Sequence, residues 1–213
     1  MAAGLLWLAL PRTLAALVGL GGDAVISAPQ LTGGRADGDA LAAGVASLES
    51  SAAWHGAGLT HIDHGLLLLR QSRQASSPAE QQRLQDAAAL RIEQGLAQAP
   101  GNPSAWAQLA HIRARRGDRA GAGAALRLSM LTGAVTPSIM PSRLALGLYL
   151  LDGLDTETRT LLAGQVRLTW GIHPDSFAGL SHEPAGQAFI RRSLADLSDE
   201  AVSDYAKRLE QGR

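Results

Sequence analysis

Three histidines lie close together in this sequence, and imidazole nitrogens are common ligands of transition metals. His61 and His64 are three residues apart, so in a helix they share a face, with Asp63 turned about 100 degrees from His64. One helix supplies only two ligands, so a third ligand would have to come from elsewhere. We therefore expect exposed or partly buried histidines rather than a metal centre. A metal-dependent enzyme that uses His61 and His64 is kept as a hypothesis beside the two given at the end of this section.

Other catalytic signatures are missing from the sequence. It contains no Gly-x-Ser-x-Gly, His-Glu-x-x-His or Gly-x-x-x-x-Gly-Lys motif, and no cysteine, which excludes disulfides and a thiolate nucleophile. The carboxylate pairs Asp152/Asp155 and Asp199/Glu200 stand at expected helix ends, where capping accounts for them. The sequence therefore predicts a protein that is not an enzyme and has no cofactor, metal or small-molecule substrate.

Composition favours an all-α fold. The 213 residues are dominated by alanine and leucine, while aromatic residues make up only 4%. The net charge is zero and the arginines are dispersed, so the electrostatic pattern of a nucleic-acid-binding protein is absent. Lys207 is the only lysine, and this bias towards arginine indicates a GC-rich bacterial genome.

The N-terminal segment is apolar enough to bear on localisation. Between Ala2 and Ile26 only Arg12 and Asp23 are charged, which approaches the length needed to cross a bilayer core of about 30 Å. Pro11-Arg12 interrupts the segment, and a central arginine costs about 2.5–3.5 kcal/mol on insertion scales. A signal anchor, a signal peptide, and a first helix packed into a helical domain remain alternatives. We expect an anchor or signal segment at 1–26, a linker at 27–38 and a helical domain at 39–213.

The helical domain is predicted from apolar periodicity and cap residues. Its first helix begins near Asp39 and turns Leu41, Val45, Leu48 and Trp54 to one side. A later helix after Pro137 and Pro141 buries Leu144, Leu148, Leu151 and Tyr149. The other predicted helices cover residues 59–73, 78–99, 103–117, 119–132, 156–172, 186–197 and 199–211.

Residues 87–131 carry a recurrent pattern of small and large apolar residues. The pattern comprises Trp106-x-x-Leu109-Ala110, Gly117-Asp118 and Ala122-x-x-x-Leu126, preceded by Ala88-x-x-x-Ile92 and Pro100. It resembles the tetratricopeptide repeat, a helix-turn-helix unit that stacks into an α-solenoid. The resemblance implies that Trp106 and Leu109 wedge between two helices at the small residues Ala110 and Ala122. Arg113 and Ala134 depart from the family, which usually has tyrosine and proline there.

The same resemblance implies a function in protein binding. The concave positions of the family, which commonly hold a peptide or a partner helix, fall on Gln108, His111 and Arg115. Residues 127–133, with Leu168-Thr169-Trp170, also resemble small alphaproteobacterial repeat proteins that have an N-terminal membrane segment and accompany surface-polysaccharide machinery.

We therefore expect a non-enzymatic scaffold or assembly factor of the bacterial cell envelope, serving polysaccharide export or polymerisation. It would be anchored in the inner membrane with its helices on the periplasmic side. The alternative is a soluble, cytoplasmic all-α oligomer whose apolar N-terminus belongs to its core or interface.

Overall fold

The computed structural model describes residues 2–27, 38–180 and 183–211, which form α-helices and short 3-10 helices without a β-strand. The expected all-α class is thereby confirmed. The predicted linker falls mostly on residues 28–37, outside the described residues. The α-helices are α1 (Ala2–Ser27), α2 (Gly38–Trp54), α3 (Gly58–Ser72), α4 (Pro78–Gln98), α5 (Pro103–Arg115), α6 (Arg119–Thr132), α7 (Met140–Leu150), α8 (Thr156–Ile172), α9 (Pro184–Ala195) and α10 (Asp199–Gln211).

Side-chain caps fix where several helices begin. Ser77, Asn102, Asp118 and Asp155 each accept a hydrogen bond from the backbone N–H three residues ahead, at the starts of α4, α5, α6 and α8. Gly117 has a φ of 79°, a left-handed conformation that glycine adopts without steric cost, and it follows the last turn of α5. The predicted boundaries of these helices are confirmed to within two residues.

The chain divides into two compact units, residues 1–100 with α1–α4 and residues 101–213 with α5–α10. In the first unit, α1 and α2 run antiparallel. Ala15, Gly19 and Gly22 form the buried face of α1. Ser51 Oγ donates to the carbonyl of Ala15 at 2.8 Å, and Ser47 Oγ donates to that of Val18. We call this contact the α1–α2 seam; its small residues and serine hydroxyls resemble helix packing within membranes.

Glycines bring α3 and α4 into direct backbone contact. A Cβ placed on Gly95 would lie 2.5 Å from the carbonyl oxygen of Gly58, and one placed on Gly65 would lie 2.9 Å from that of Ala88. Both distances are far below a normal contact, so neither position has room for a side chain. This antiparallel pair packs around Ile62 and Ile92, which are buried.

The second unit begins with the antiparallel pair α5/α6, where the repeat-like pattern falls. Ser129 Oγ donates to the carbonyl of Pro103 at 2.6 Å, and Arg113 Nη1 donates to that of Gly121 at 3.3 Å. Trp106 is half-buried, while the other apolar pattern residues on α5 and α6 are fully buried: Leu109, Ala110, Ala122 and Leu126. This is a helical hairpin of the expected length; stacking of repeats into a solenoid stays a prediction.

Three expected burial states are wrong. Trp54 and Tyr149 were assigned to apolar faces, but they are 54% and 62% exposed. Trp54 is the last residue of α2, and the ring of Tyr149 lies under the guanidinium of Arg119, 4.9 Å from its centroid. His64 was expected to be exposed or partly buried, yet it is buried because α3 is covered by its neighbouring helices.

Candidate functional site

The apolar surface of α1 is the first feature that suggests an interaction. Leu10, Leu17 and Leu20 recur at helical spacing and are 58%, 66% and 58% exposed. They belong to the segment Ala9–Ile26, whose mean hydropathy is 1.3 and of which only 17% is buried. The helix runs without interruption through Pro11. By length and composition, this helix could therefore anchor in a membrane or serve as a signal sequence.

A groove of about 310 Å³ lies on another side of α1. Arg12 and Asp23 from α1 line it, together with His55 and with Asp63 of α3. No sequence motif joins these four residues. One signal was available, because residues eleven apart, such as Arg12 and Asp23, return to the same face after three helical turns.

Burial is the main cause that raises the pKa of Asp63 to about 6, and the nearby carboxylate of Asp23 raises it further. At neutral pH Asp63 is mostly ionised, and it repels Asp23 across the groove. Arg12 and His55 are the basic side chains that line the same groove.

The two helical histidines lie beside an ion pair rather than in a ligand set. Burial lowers the pKa of both His61 and His64, and the cation of Arg91 lowers it further. Arg91 is 3.7 Å from Glu49. The Nδ1 atoms of His61 and His64 are buried without a hydrogen-bond partner. Within the described ranges, no group of three His, Cys, Asp or Glu residues is arranged to hold a metal ion.

The expected partner-binding residues share one face of α5. Gln108 and His111 are half-buried, and Arg115, one turn beyond His111, is exposed. Burial lowers the pKa of His111, and Arg115 lowers it further, so the imidazole is neutral at neutral pH. This face offers a neutral imidazole, an amide and an exposed guanidinium, which suit hydrogen bonds to a peptide backbone and an ion pair with a carboxylate.

A second groove, of about 420 Å³, runs beside α10 in the second unit. Trp170 forms one wall, and its ring packs edge-on against Phe177 at a centroid distance of 5.1 Å. The guanidinium of Arg208 lies 5.6 Å from the centroid of the Trp170 ring. Trp170 is thus held by the aromatic core on one side and covered by a cation on another.

Comparisons with protein-family models, with curated proteins and with solved structures found no match to this chain.

Proposed function

We propose that this chain is a membrane-anchored, non-enzymatic interaction scaffold of the bacterial cell envelope. In this proposal α1 leaves the α1–α2 seam to become the anchor, and the remaining helices lie on the periplasmic side of the inner membrane. The face of Gln108, His111 and Arg115 binds a protein partner. The resemblance at residues 127–133 and 168–170 supports a partner from surface-polysaccharide export or polymerisation.

The exposed leucine face of α1 carries the proposal. Full burial of one leucine side chain contributes about 1.5–3 kcal/mol. Moving Leu10, Leu17 and Leu20 from water into lipid, each from roughly half exposure, therefore contributes about 2–5 kcal/mol. The Ala9–Ile26 segment is about 27 Å long as a helix, close to the bilayer core.

The charged residues of α1 are compatible with an anchor because of where they lie. If the span is the window Ala9–Ile26 and not the whole of α1, Arg12 is three residues from its start and Asp23 is three residues from its end. A side chain near either end of a spanning helix extends towards the lipid headgroups, which lowers its insertion cost.

Fractionation of cells that express the full chain with a C-terminal tag tests the anchor. We expect recovery with membranes, and digestion of the tagged helices when protease is added to spheroplasts. The double variant Leu17→Arg/Leu20→Arg is expected to move the protein into the soluble fraction. Leu90→Arg is the matched control, because Leu90 is similarly exposed, at 56%, but belongs to α4. Protease-protected recovery in the cytosol would refute the anchor.

The α1–α2 seam favours a second candidate, a soluble oligomer in which α1 belongs to the folded unit. Ala15, Gly19 and Gly22 already pack against α2, so the leucine face would then cover another copy of the chain. Size-exclusion chromatography with light scattering separates the two candidates. A detergent-free oligomer that the Leu17→Arg/Leu20→Arg change dissociates would support the soluble form.

Photo-crosslinking tests the partner face. A crosslinking amino acid at position 108, 111 or 115 should capture the same envelope protein, and one at Arg192, exposed on α9, should not. Arg115→Glu should weaken the crosslink because it reverses the charge, whereas Arg192→Glu should leave it unchanged. Equal capture from position 192 would remove the face from the proposal.

A further inference from the structure

The groove beside α1 is basic at one end. Arg12 lines it from α1, one turn before Ala15, and His55 lines it one turn beyond Ser51 of α2. The Ser51 hydroxyl donates to the carbonyl of Ala15, and the two helices run antiparallel. Arg12 and His55 therefore lie at the same end of the groove. Asp23 also lines it from α1, eleven residues after Arg12, which is about 16 Å along the helix axis.

The other end of the groove is acidic. Asp63 of α3 lines it with Asp23. Burial raises the pKa of Asp63, and the nearby carboxylate of Asp23 raises it further, so the two carboxylates are close together. Among the described residues, no hydrogen bond or ion pair engages the side chains of Asp23, Asp63, Arg12 or His55. A cation bound at the acidic end would therefore meet two unpaired carboxylates and offset their repulsion.

Small residues leave space between the two ends. Ala15, Ala16 and Gly19 line the groove from α1, and its volume of about 310 Å³ lies within the range of sites for small ligands. One amino acid spans at most about 3.6 Å, so it cannot bridge the ends. Three extended residues span about 10 Å, which leaves about 6 Å to be covered by the side chains of Arg12 and Asp23.

We propose that this groove binds a short peptide with free termini. The α-ammonium of the peptide lies between Asp23 and Asp63, and its α-carboxylate accepts hydrogen bonds from the Arg12 guanidinium and the His55 imidazole. Each terminus meets the opposite charge, whereas a ligand with a single charge would leave one end of the groove unpaired. The groove exists while α1 packs on α2, so this inference does not rest on the anchor. A bound peptide would oppose the release of α1.

A nuclear magnetic resonance titration of the isotope-labelled full chain with trialanine tests the site. We expect saturable shifts at amides that line the groove, such as those of Gly19, Ser51 and Thr60. N-acetyl-trialanine lacks the ammonium and trialanine amide lacks the carboxylate, so each should bind about tenfold more weakly. Alanine, which cannot reach both ends, should bind no more tightly than these blocked peptides. The absence of saturable shifts with trialanine, or equal affinity for all four ligands, would overturn the proposal.

Variants assign each terminus to its end of the groove. Asp63→Asn should weaken trialanine binding about tenfold but leave N-acetyl-trialanine binding unchanged, because that peptide has no ammonium. Arg12→Gln should weaken trialanine binding but leave trialanine amide binding unchanged. Both variants should fold, since Asp63→Asn removes a half-buried charge and Arg12 is exposed.

Asp152→Asn and Arg83→Gln are the matched controls, because both residues are exposed and lie outside the groove. Each control should bind trialanine as the unmodified protein does. Unchanged trialanine affinity in either groove variant would refute the assignment of the charged ends.

Discussion

Gly95→Ala is expected to destabilise the protein, although the same change in an open helical position stabilises. Alanine has less conformational entropy to lose on folding than glycine, which is worth about 0.5–1 kcal/mol in a helix. At Gly95 the added Cβ would lie 2.5 Å from the carbonyl oxygen of Gly58 and 2.9 Å from the backbone nitrogen of Ile62. Backbone atoms cannot rotate away, so α3 and α4 must separate.

The cost follows from the residues packed at this crossing. Ile62 and Ile92 are 1% and 0% exposed, and each contributes about 1.5–3 kcal/mol by burial. A gap of 0.5–1 Å forfeits a quarter to a half of the contact energy, or about 1–3 kcal/mol for the two side chains. Residual overpacking lowers the free energy of unfolding by about 1 kcal/mol more, and the helix preference of alanine raises it by about the same amount. We therefore expect a net loss of about 2 kcal/mol in the free energy of unfolding.

Urea unfolding monitored by far-UV circular dichroism measures this loss, and hydrogen exchange of the α4 amides assigns it to the first unit. Gly164→Ala in α8 is the matched control, because a Cβ there meets no atom within 4 Å. The free energy of unfolding of Gly164→Ala should rise by up to about 1 kcal/mol. If Gly95→Ala is as stabilising as Gly164→Ala, the close backbone approach of α3 and α4 is wrong.

Three further predictions concern single polar groups. Ser51→Ala should lower the free energy of unfolding by about 1 kcal/mol, because it removes a buried hydrogen bond to the backbone of α1; Ser50→Ala, whose hydroxyl bonds only within α2, should change it little in urea titrations. Asp63→Asn should raise the free energy of unfolding by about 2 kcal/mol above pH 6, because the raised pKa of Asp63 means that the unmodified protein loses stability as pH rises from about 4 to 6. In thermal melts across pH, the difference in stability between the variant and the unmodified protein should vanish below about pH 4. A difference that is the same at every pH would contradict the raised pKa of Asp63. Asp155→Ala should cost about 1 kcal/mol because the cap of α8 is lost, whereas Asp152→Ala should cost less than half of that in the same titration.

Helix positions could be predicted from this sequence because their signals are local. Asn102, Asp118 and Asp155 each reach a backbone N–H only three residues away, and Gly117 sets its own backbone conformation. These interactions depend little on the rest of the fold. The start of α5, the connection to α6 and the start of α8 were therefore predictable without tertiary information.

Side-chain environments depend on helices that are distant in sequence, and here prediction was weaker. His64 is buried among helices of the first unit, whereas Tyr149 is exposed and its ring pairs with Arg119. Arg143 is buried although arginine usually faces solvent. A helical-wheel signal existed for it, since Arg143 lies between the buried residues Met140 and Gly147 at spacings of three and four. The charge alone argued against burial.

The α1–α2 seam has a consequence for the surroundings in which it can persist. The hydroxyls of Ser47 and Ser51 bond to carbonyls of α1, so neither needs water as a partner. Removing water from around such a hydrogen bond strengthens it, because competition for the donor disappears. Ala15, Gly19 and Gly22 add close contact, which does not depend on the hydrophobic effect. The pairing of these two helices therefore depends less on the surrounding water than a contact between large apolar side chains would.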